Sequence, residues 1–131
     1  MNAQSINNKL PELQQIITDK APKIVGLTET WLHEDINEGE ISLMNFQIYR
    51  SDRQQGNGGG VLMYVHDSLV SSPCQELTDS GFEESVWCTV QLNRTSKLLV
   101  GNIYRSPASS NENNLKLLTL LQKAKEARNI T

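Results

Sequence analysis

The feature that most constrains the fold is a short apolar run that ends in a single carboxylate. The run is Ile24-Val25-Gly26-Leu27-Thr28, and it is followed by Glu29 and, two residues later, by Trp31. A short apolar run of this kind is typical of a buried strand. Ligands of open α/β sheets bind beyond the carboxyl ends of the strands, so this strand would place Glu29 where a metal ion or a substrate binds. The alternative is a strand that simply ends in a solvated glutamate.

The rest of the chain predicts an α/β domain in which strands outnumber helices. Apolar residues at helical spacing predict a first helix that begins around residues 8–10 and is broken at Ala21-Pro22. Apolar and alternating runs predict five strands, at residues 23–29, 46–50, 61–66, 85–92 and 97–104. A last helix is predicted at residues 109–128. Residues 93–96 form a hairpin turn between the last two strands. Both faces of the strand at 97–104 are apolar, which predicts a central position in its sheet. Residues 68–81 are polar and predict a connecting loop.

Composition and charge argue against several classes of protein, namely charge-driven nucleic-acid binders, secreted proteins and membrane-spanning proteins. The 131 residues suffice for one domain, and 37% of them are hydrophobic. The net charge of −3 gives no basic surface for nucleic acid. It does not exclude a metal-dependent nuclease, whose acidic site meets the phosphate through a cation. No stretch predicts a signal peptide, and none approaches the roughly 18 apolar residues of a membrane span. We therefore expect an intracellular protein, nuclear or cytoplasmic, with no membrane partner.

Two further features could face a phosphate group. The segment Gly56-Asn57-Gly58-Gly59-Gly60 is rich in glycine, but a strand follows it rather than a helix N-terminus, which favours a hairpin loop over a phosphate loop. Arg50, Arg53 and Arg105 lie at predicted strand ends, where a guanidinium could form a phosphate-facing rim. The alternative for these arginines is ion pairing with Asp52 and neighbouring acids.

Four motifs taken together resemble one family. They run in order along nearly the whole chain: Asn2-Ala3-Gln4-Ser5-Ile6-Asn7-Asn8-Lys9-Leu10, Leu27-Thr28-Glu29-Thr30-Trp31-Leu32, Tyr49-Arg50-Ser51-Asp52-Arg53 with Gly58-Gly59-Gly60-Val61, and Ile103-Tyr104-Arg105-Ser106-Pro107. The series resembles the endonuclease/exonuclease/phosphatase family. It is most similar to the endonuclease domain at the front of non-LTR retrotransposon polyproteins, which also carry a reverse transcriptase.

The resemblance implies both a fold and an activity. The fold would be the N-terminal half of a four-layer α/β/β/α sandwich, with mostly antiparallel or mixed sheets between flanking helices. The activity would be cleavage of DNA by a Mg²⁺-dependent phosphodiesterase, with Mn²⁺ as an alternative cation. The catalytic positions that the resemblance assigns are Asn2, Glu29 and Tyr104, with Glu29 as the metal ligand. We add Arg50, Arg53 and Arg105 as substrate-binding residues because of their positions.

Two motifs of the family are not found within the 131 residues. They are a Gly-Asp-Phe-Asn-like strand and a Ser-Asp-His motif, which supply further metal-facing groups and the catalytic histidine. Most of the family's first strand, ahead of Asn2, is not found either. We therefore expect residues 1–131 to be a single truncated domain that is inactive alone, with the missing C-terminal half of the domain or a downstream reverse transcriptase in the parent polyprotein as its partner. We also expect the chain to supply about one sheet and to expose its inner face to water or to another chain, either at Val86, Cys88, Val90 and Leu92 or at their counterparts on the other side.

Two other functions remain open from the sequence. One is a non-catalytic interaction module, or a decayed retroelement remnant that has kept half of the fold. The other is a phosphoesterase of the same superfamily that acts on phosphoinositides or sphingolipids. No basic amphipathic helix is evident, and this disfavours a membrane substrate.

Overall fold

The computed structural model describes residues 1–53 and 58–129, and Gly56 and Asn57 of the glycine-rich segment lie outside them. The described residues form helices α1 (Leu10–Lys20), α2 (Gln75–Thr78) and α3 (Asn111–Asn129), with single 3₁₀ turns at Ile6–Asn8 and Glu38–Glu40. They also form strands β1 (Ile24–Thr28), β2 (Phe46–Ser51), β3 (Val61–His66), β4 (Ser71–Pro73), β5 (Ser85–Gln91) and β6 (Lys97–Ile103). The protein is thus a mixed α+β structure. None of the helices described is long and apolar enough to cross a membrane.

The first sheet has the strand order β1-β3-β2, and both of its strand pairs are antiparallel. The predicted hairpin of β2 and β3 is confirmed, with Ser51 opposite Val61 and Phe46 opposite His66. Residues 61–65 of β3 are all buried, because the strand lies between two others and is covered on both faces. The N-terminal residues add to this sheet, since Asn2 forms a parallel bridge with Thr28 of β1.

The second sheet has the strand order β4-β5-β6 and is also antiparallel. The prediction that residues 97–104 form a central strand is wrong, because β5 lies between β4 and β6. Both faces of β6 are apolar because each face packs against another layer of the protein. Leu99 and Ile103 pack towards α3, whereas Val100 packs towards the first sheet. The predicted loop at residues 68–81 contains β4 and α2.

Three apolar clusters hold the described elements together. The first joins α1 to one face of the first sheet, and includes Leu13, Leu27 and Tyr64. The second lies between the two sheets, and the third joins α3 and α2 to the other face of the second sheet through Leu120 and Trp87. Burial of apolar area in these clusters is the main favourable contribution to folding.

The expectation of an exposed inner face is wrong for three of its four residues. Val86, Cys88 and Val90 are buried between the sheets, at 3% exposure or less, whereas Leu92 lies beyond the end of β5 and is 59% exposed. The physical reason is that residues 1–53 and 58–129 form three strands in each sheet, so that the inner face of one sheet covers the inner face of the other.

Polar contacts also join the two sheets. The side-chain amide of Asn102 in β6 donates to the main-chain carbonyls of Leu27 (2.9 Å) and Leu62 (3.0 Å) in the first sheet. Gly26 makes room for this amide, since a Cβ there would lie 3.2 Å from the Asn102 side chain. Because Asn102 is two residues from Tyr104, these bonds fix the end of β6 against the end of β1.

Candidate functional site at the end of β1

Three segments meet where β1 ends. The main-chain N–H of Ser5 donates to the Glu29 carbonyl (3.0 Å), and the Trp31 N–H donates to the Gly59 carbonyl (2.8 Å). Thr30, between them, is buried and donates its own N–H to the Gly60 carbonyl (3.3 Å). The segment that follows β1 is therefore fixed on both sides by main-chain hydrogen bonds.

The same three segments concentrate unusual backbone conformations. Positive φ angles occur at Glu29 (55°) and Trp31 (58°), and also at Gln4, Ser5, Gly58, Gly59 and Gly60. A left-handed conformation costs a residue with a side chain about 1–2 kcal/mol, and such strain is often kept at functional sites. Gly60 needs its positive φ of 90°, and a Cβ there would lie 2.5 Å from the Thr30 hydroxyl oxygen. The packing around Glu29 thus stabilises a geometry that the backbone would not adopt alone.

Glu29 and Tyr104 come together from different sheets. Burial raises the pKa of the Tyr104 phenol above its usual value of 10.0, and the charge of Glu29 together with a hydrogen bond to its carboxylate raises this pKa further. The charge of Glu84 acts in the same direction, and Arg53 partly offsets it. Tyr104 therefore stays protonated at neutral pH and can donate a hydrogen bond to an anion, whereas phenolate chemistry is disfavoured.

Glu84 is a site residue that the sequence interpretation missed. Its Oε1 accepts from Arg53 Nη2 (2.9 Å) and from the Gly60 N–H (3.3 Å), and its main-chain carbonyl accepts from the Tyr104 N–H (3.0 Å). Both members of the ion pair are largely buried, with side-chain exposures of 28% for Arg53 and 14% for Glu84. Gly59 is required here, because a Cβ would overlap Arg53 and would lie 2.5 Å from Glu84 Oε1. Glu84 thus links the glycine segment, Arg53 and Tyr104.

The hairpin register could have revealed Glu84. Gln91 pairs with Lys97 around the predicted turn, and Ser85 pairs with Ile103 at the far end of the same two strands. One further step along that register places Glu84 opposite Tyr104. The signal was therefore present once the turn at residues 93–96 had been predicted.

The three arginines do not form one rim. Arg53 lies in the site, as described. Arg50 is paired with Asp52 (2.6 Å) and donates to the carbonyls of Ile36 (2.8 Å) and His33 (3.0 Å), so it anchors the loop after β1. The ion pair with Asp52 is the alternative that the sequence left open for Arg50.

The other two predicted residues lie at the margins of the site. The Nε of Arg105 donates to Asn114 Oδ1 in the first turn of α3 (3.0 Å), and Arg105 is exposed. Asn2 is exposed as well, and its main chain lies beside Thr28, next to Glu29 in the sequence. Asn2 is therefore near the end of β1 through its backbone.

The side chains at the end of β1 supply part of the ligand set of a cation site. Mg²⁺ is commonly held by one or two carboxylates together with water and substrate phosphates. Glu29 offers one such carboxylate, and the neighbouring Glu84 is engaged with Arg53. Within residues 1–53 and 58–129, no group of three or more His, Cys, Asp or Glu side chains is placed to hold a metal ion. The residues described thus fit one ligand position of a Mg²⁺ site rather than a complete set.

Comparison with known proteins adds no family assignment: no family model matches the chain, and no curated protein matches it.

Proposed function

We propose that this chain carries the Glu29 and Tyr104 side of the active site of a Mg²⁺-dependent phosphodiesterase that nicks DNA, as in the endonuclease domains of non-LTR retrotransposons. Mn²⁺ is an alternative cation. The observation that carries the proposal is that the ends of β1 and β6 lie together: Asn102 of β6 donates to the Leu27 carbonyl of β1 over 2.9 Å, so that Tyr104, directly after β6, lies near Glu29, whose charge raises the pKa of the phenol. The resemblance assigns these two residues to one active site, and they are far apart in the sequence.

The packing order supports the finer fold assignment in this proposal. Helix α1 packs on the first sheet, the two sheets pack face to face, and α3 packs on the second sheet. The N-terminal half of a four-layer α/β/β/α sandwich would have the same order.

Each residue of the site has a distinct chemical task in this proposal. Bound Mg²⁺ would take up negative charge that develops on a phosphoryl oxygen. Glu29 supplies a carboxylate ligand for it, and Asn2 lies at the same sheet edge through its backbone. Tyr104, kept protonated, turns its single O–H from Glu29 to a phosphate oxygen once Glu29 binds the cation, and Arg53, which is paired with Glu84, lies beside it as a substrate-binding donor.

The described residues leave part of the chemistry unassigned. Hydrolysis also needs a group that orients or deprotonates water and an acid for the leaving oxygen. His33 lies beside Asp35 (3.7 Å) and His66 bonds to Ser68 (2.8 Å), so the contacts of both histidines lie outside the site. We therefore propose that the 131-residue chain is inactive alone. The remaining groups would come from a C-terminal half of the domain, within a polyprotein that carries a reverse transcriptase.

Nicking of supercoiled plasmid DNA in Mg²⁺ tests this proposal in two arms. The 131-residue chain should nick no faster than its Glu29→Ala variant, and Glu29-dependent nicking by this chain would contradict the proposed inactivity. In a longer polypeptide that supplies the remaining groups, Glu29→Ala should lower the rate at least about 100-fold, because a charge-stabilising interaction is lost.

The matched control is Glu12→Ala, which removes the same charge from an exposed position in α1. It should leave the rate of the longer polypeptide unchanged. A Glu29→Ala rate equal to that of this control would refute the proposed role of Glu29.

A further inference from the structure

Trp31 holds one oxygen of the Glu29 carboxylate. The indole Nε1 donates to Glu29 Oε2 over 2.9 Å, and the Trp31 side chain is nevertheless 45% exposed. An exposed indole can obtain its hydrogen bond from water, so packing alone does not require this contact. The described residues include one other tryptophan, Trp87, which is buried and bonds instead to Ser85 Oγ (3.1 Å).

The backbone places Trp31 for this contact. Trp31 adopts a positive φ of 58°, and its N–H is held by the Gly59 carbonyl. On the other side, a Cβ at Gly58 would lie 3.5 Å from the indole nitrogen, so the glycine backbone passes close to the ring. A strained backbone that is fixed by neighbouring segments is a reason to look for a role of the side chain it carries.

We propose that Trp31 is a positioning residue, which orients the Glu29 carboxylate for a divalent cation. The proposal rests on the proposed function, since it concerns the same site. A ligand carboxylate is commonly fixed by hydrogen bonds from outside the coordination shell, and loss of such a bond typically weakens metal binding about 10- to 100-fold. The indole–carboxylate bond fixes one oxygen of Glu29 before the cation arrives, so less conformational freedom is lost on binding.

The first experiment measures the indole–carboxylate bond without a cation. The protein is labelled with ¹⁵N at its tryptophan indoles, Trp31→Phe assigns the two resonances, and Trp87 is the internal reference. Glu29→Ala should move the Trp31 indole resonance upfield and speed its hydrogen exchange, with Trp87 unchanged. A Trp31 resonance that is the same with and without the Glu29 carboxylate would overturn the proposal.

The second experiment titrates Mg²⁺ into a longer polypeptide that supplies the remaining metal-facing groups, and compares affinities by NMR shifts of main-chain amides near residue 29. Mg²⁺ should shift the Trp31 indole in the wild type, and Trp31→Phe should weaken binding about 10-fold or more. Trp31→His, which keeps a ring N–H donor, should recover part of the loss.

The outcomes separate this proposal from the proposed function. Equal Mg²⁺ affinity of the wild type and Trp31→Phe would overturn the positioning role and leave the Glu29 site intact. Mg²⁺ shifts that are identical in the wild type and Glu29→Ala, or the absence of any Mg²⁺ binding, would overturn both.

Discussion

The buried tyrosine in the first apolar cluster makes the protein less stable as the pH becomes alkaline. Tyr64 is fully buried in β3, and its hydroxyl donates to the Ile41 carbonyl over 2.7 Å. Burial raises the pKa of this phenol from 10.0 to about 12. The phenol therefore ionises in the unfolded chain before it ionises in the folded one, so stability is full below pH 10 and is lost as the pH rises towards about 12.

The magnitude follows from the two pKa values. One pKa unit corresponds to 1.36 kcal/mol, so the loss amounts to about 1.4 kcal/mol by about pH 11 and about 2.7 kcal/mol in full. Tyr64→Phe removes this titration. At neutral pH the variant should be less stable by about 1–3 kcal/mol, since the buried Ile41 carbonyl loses its donor.

Urea denaturation of both proteins, followed by circular dichroism across the alkaline range, measures the difference directly. The stability advantage of the wild type should shrink by about 1.4 kcal/mol between neutral pH and about pH 11. All other titrating groups are common to the two proteins and cancel in this comparison. A difference that stays constant over the whole range would refute the argument.

Three further predictions concern the core. Burial, and secondarily the charge of Cys74, raises the pKa of the Cys88 thiol to about 11. At about pH 8 a thiol reagent should therefore label Cys74 in the native protein and Cys88 only on unfolding. Equal labelling rates of the two cysteines in the native protein would contradict this. Gly101→Ala would place a Cβ into the ring of Trp87 and should cost about 1–3 kcal/mol in urea unfolding, whereas an unchanged midpoint would show that the ring has space to move. Asn102→Leu leaves two main-chain carbonyls without their inter-sheet donor and should cost at least about 1–3 kcal/mol; a loss below about 0.5 kcal/mol would argue against this link.

Local features of the sequence predicted most of the described elements. The helix at residues 10–20 follows from its apolar spacing, and the hairpin of β5 and β6 follows from alternation on either side of the turn at residues 93–96. Short elements were missed. The three residues of β4 and the four of α2 are too few to show a period, and their pairing with β5 depends on tertiary contacts.

The wrong prediction for β6 has a general physical cause. Apolar residues on both faces of a strand report what covers the sheet above and below, and they carry no information about neighbours within the sheet. Leu99 and Val100 of β6 face different layers, and both layers are apolar, although the strand lies at the end of the order β4-β5-β6.

The site was predicted in part for a related reason. Glu29 stands out because a single carboxylate ends an apolar run, and Tyr104 follows from the resemblance. Glu84 is one of two adjacent acids before a strand, and only the cross-strand register distinguishes it from the exposed Glu83. Arg50 lies outside the site because it pairs with Asp52 and donates to two loop carbonyls. Its position at a strand end does not by itself determine these contacts.

Calorimetric titration of Mg²⁺ into a longer polypeptide that supplies the remaining metal-facing groups tests the central claim most directly. The claim is that Glu29, fixed at the end of β1 beside Tyr104, binds a divalent cation. Wild type and Glu12→Ala should give the same heat of binding, and Glu29→Ala should give none at the same concentrations. Binding that survives in Glu29→Ala, or its absence in the wild type, would contradict the account.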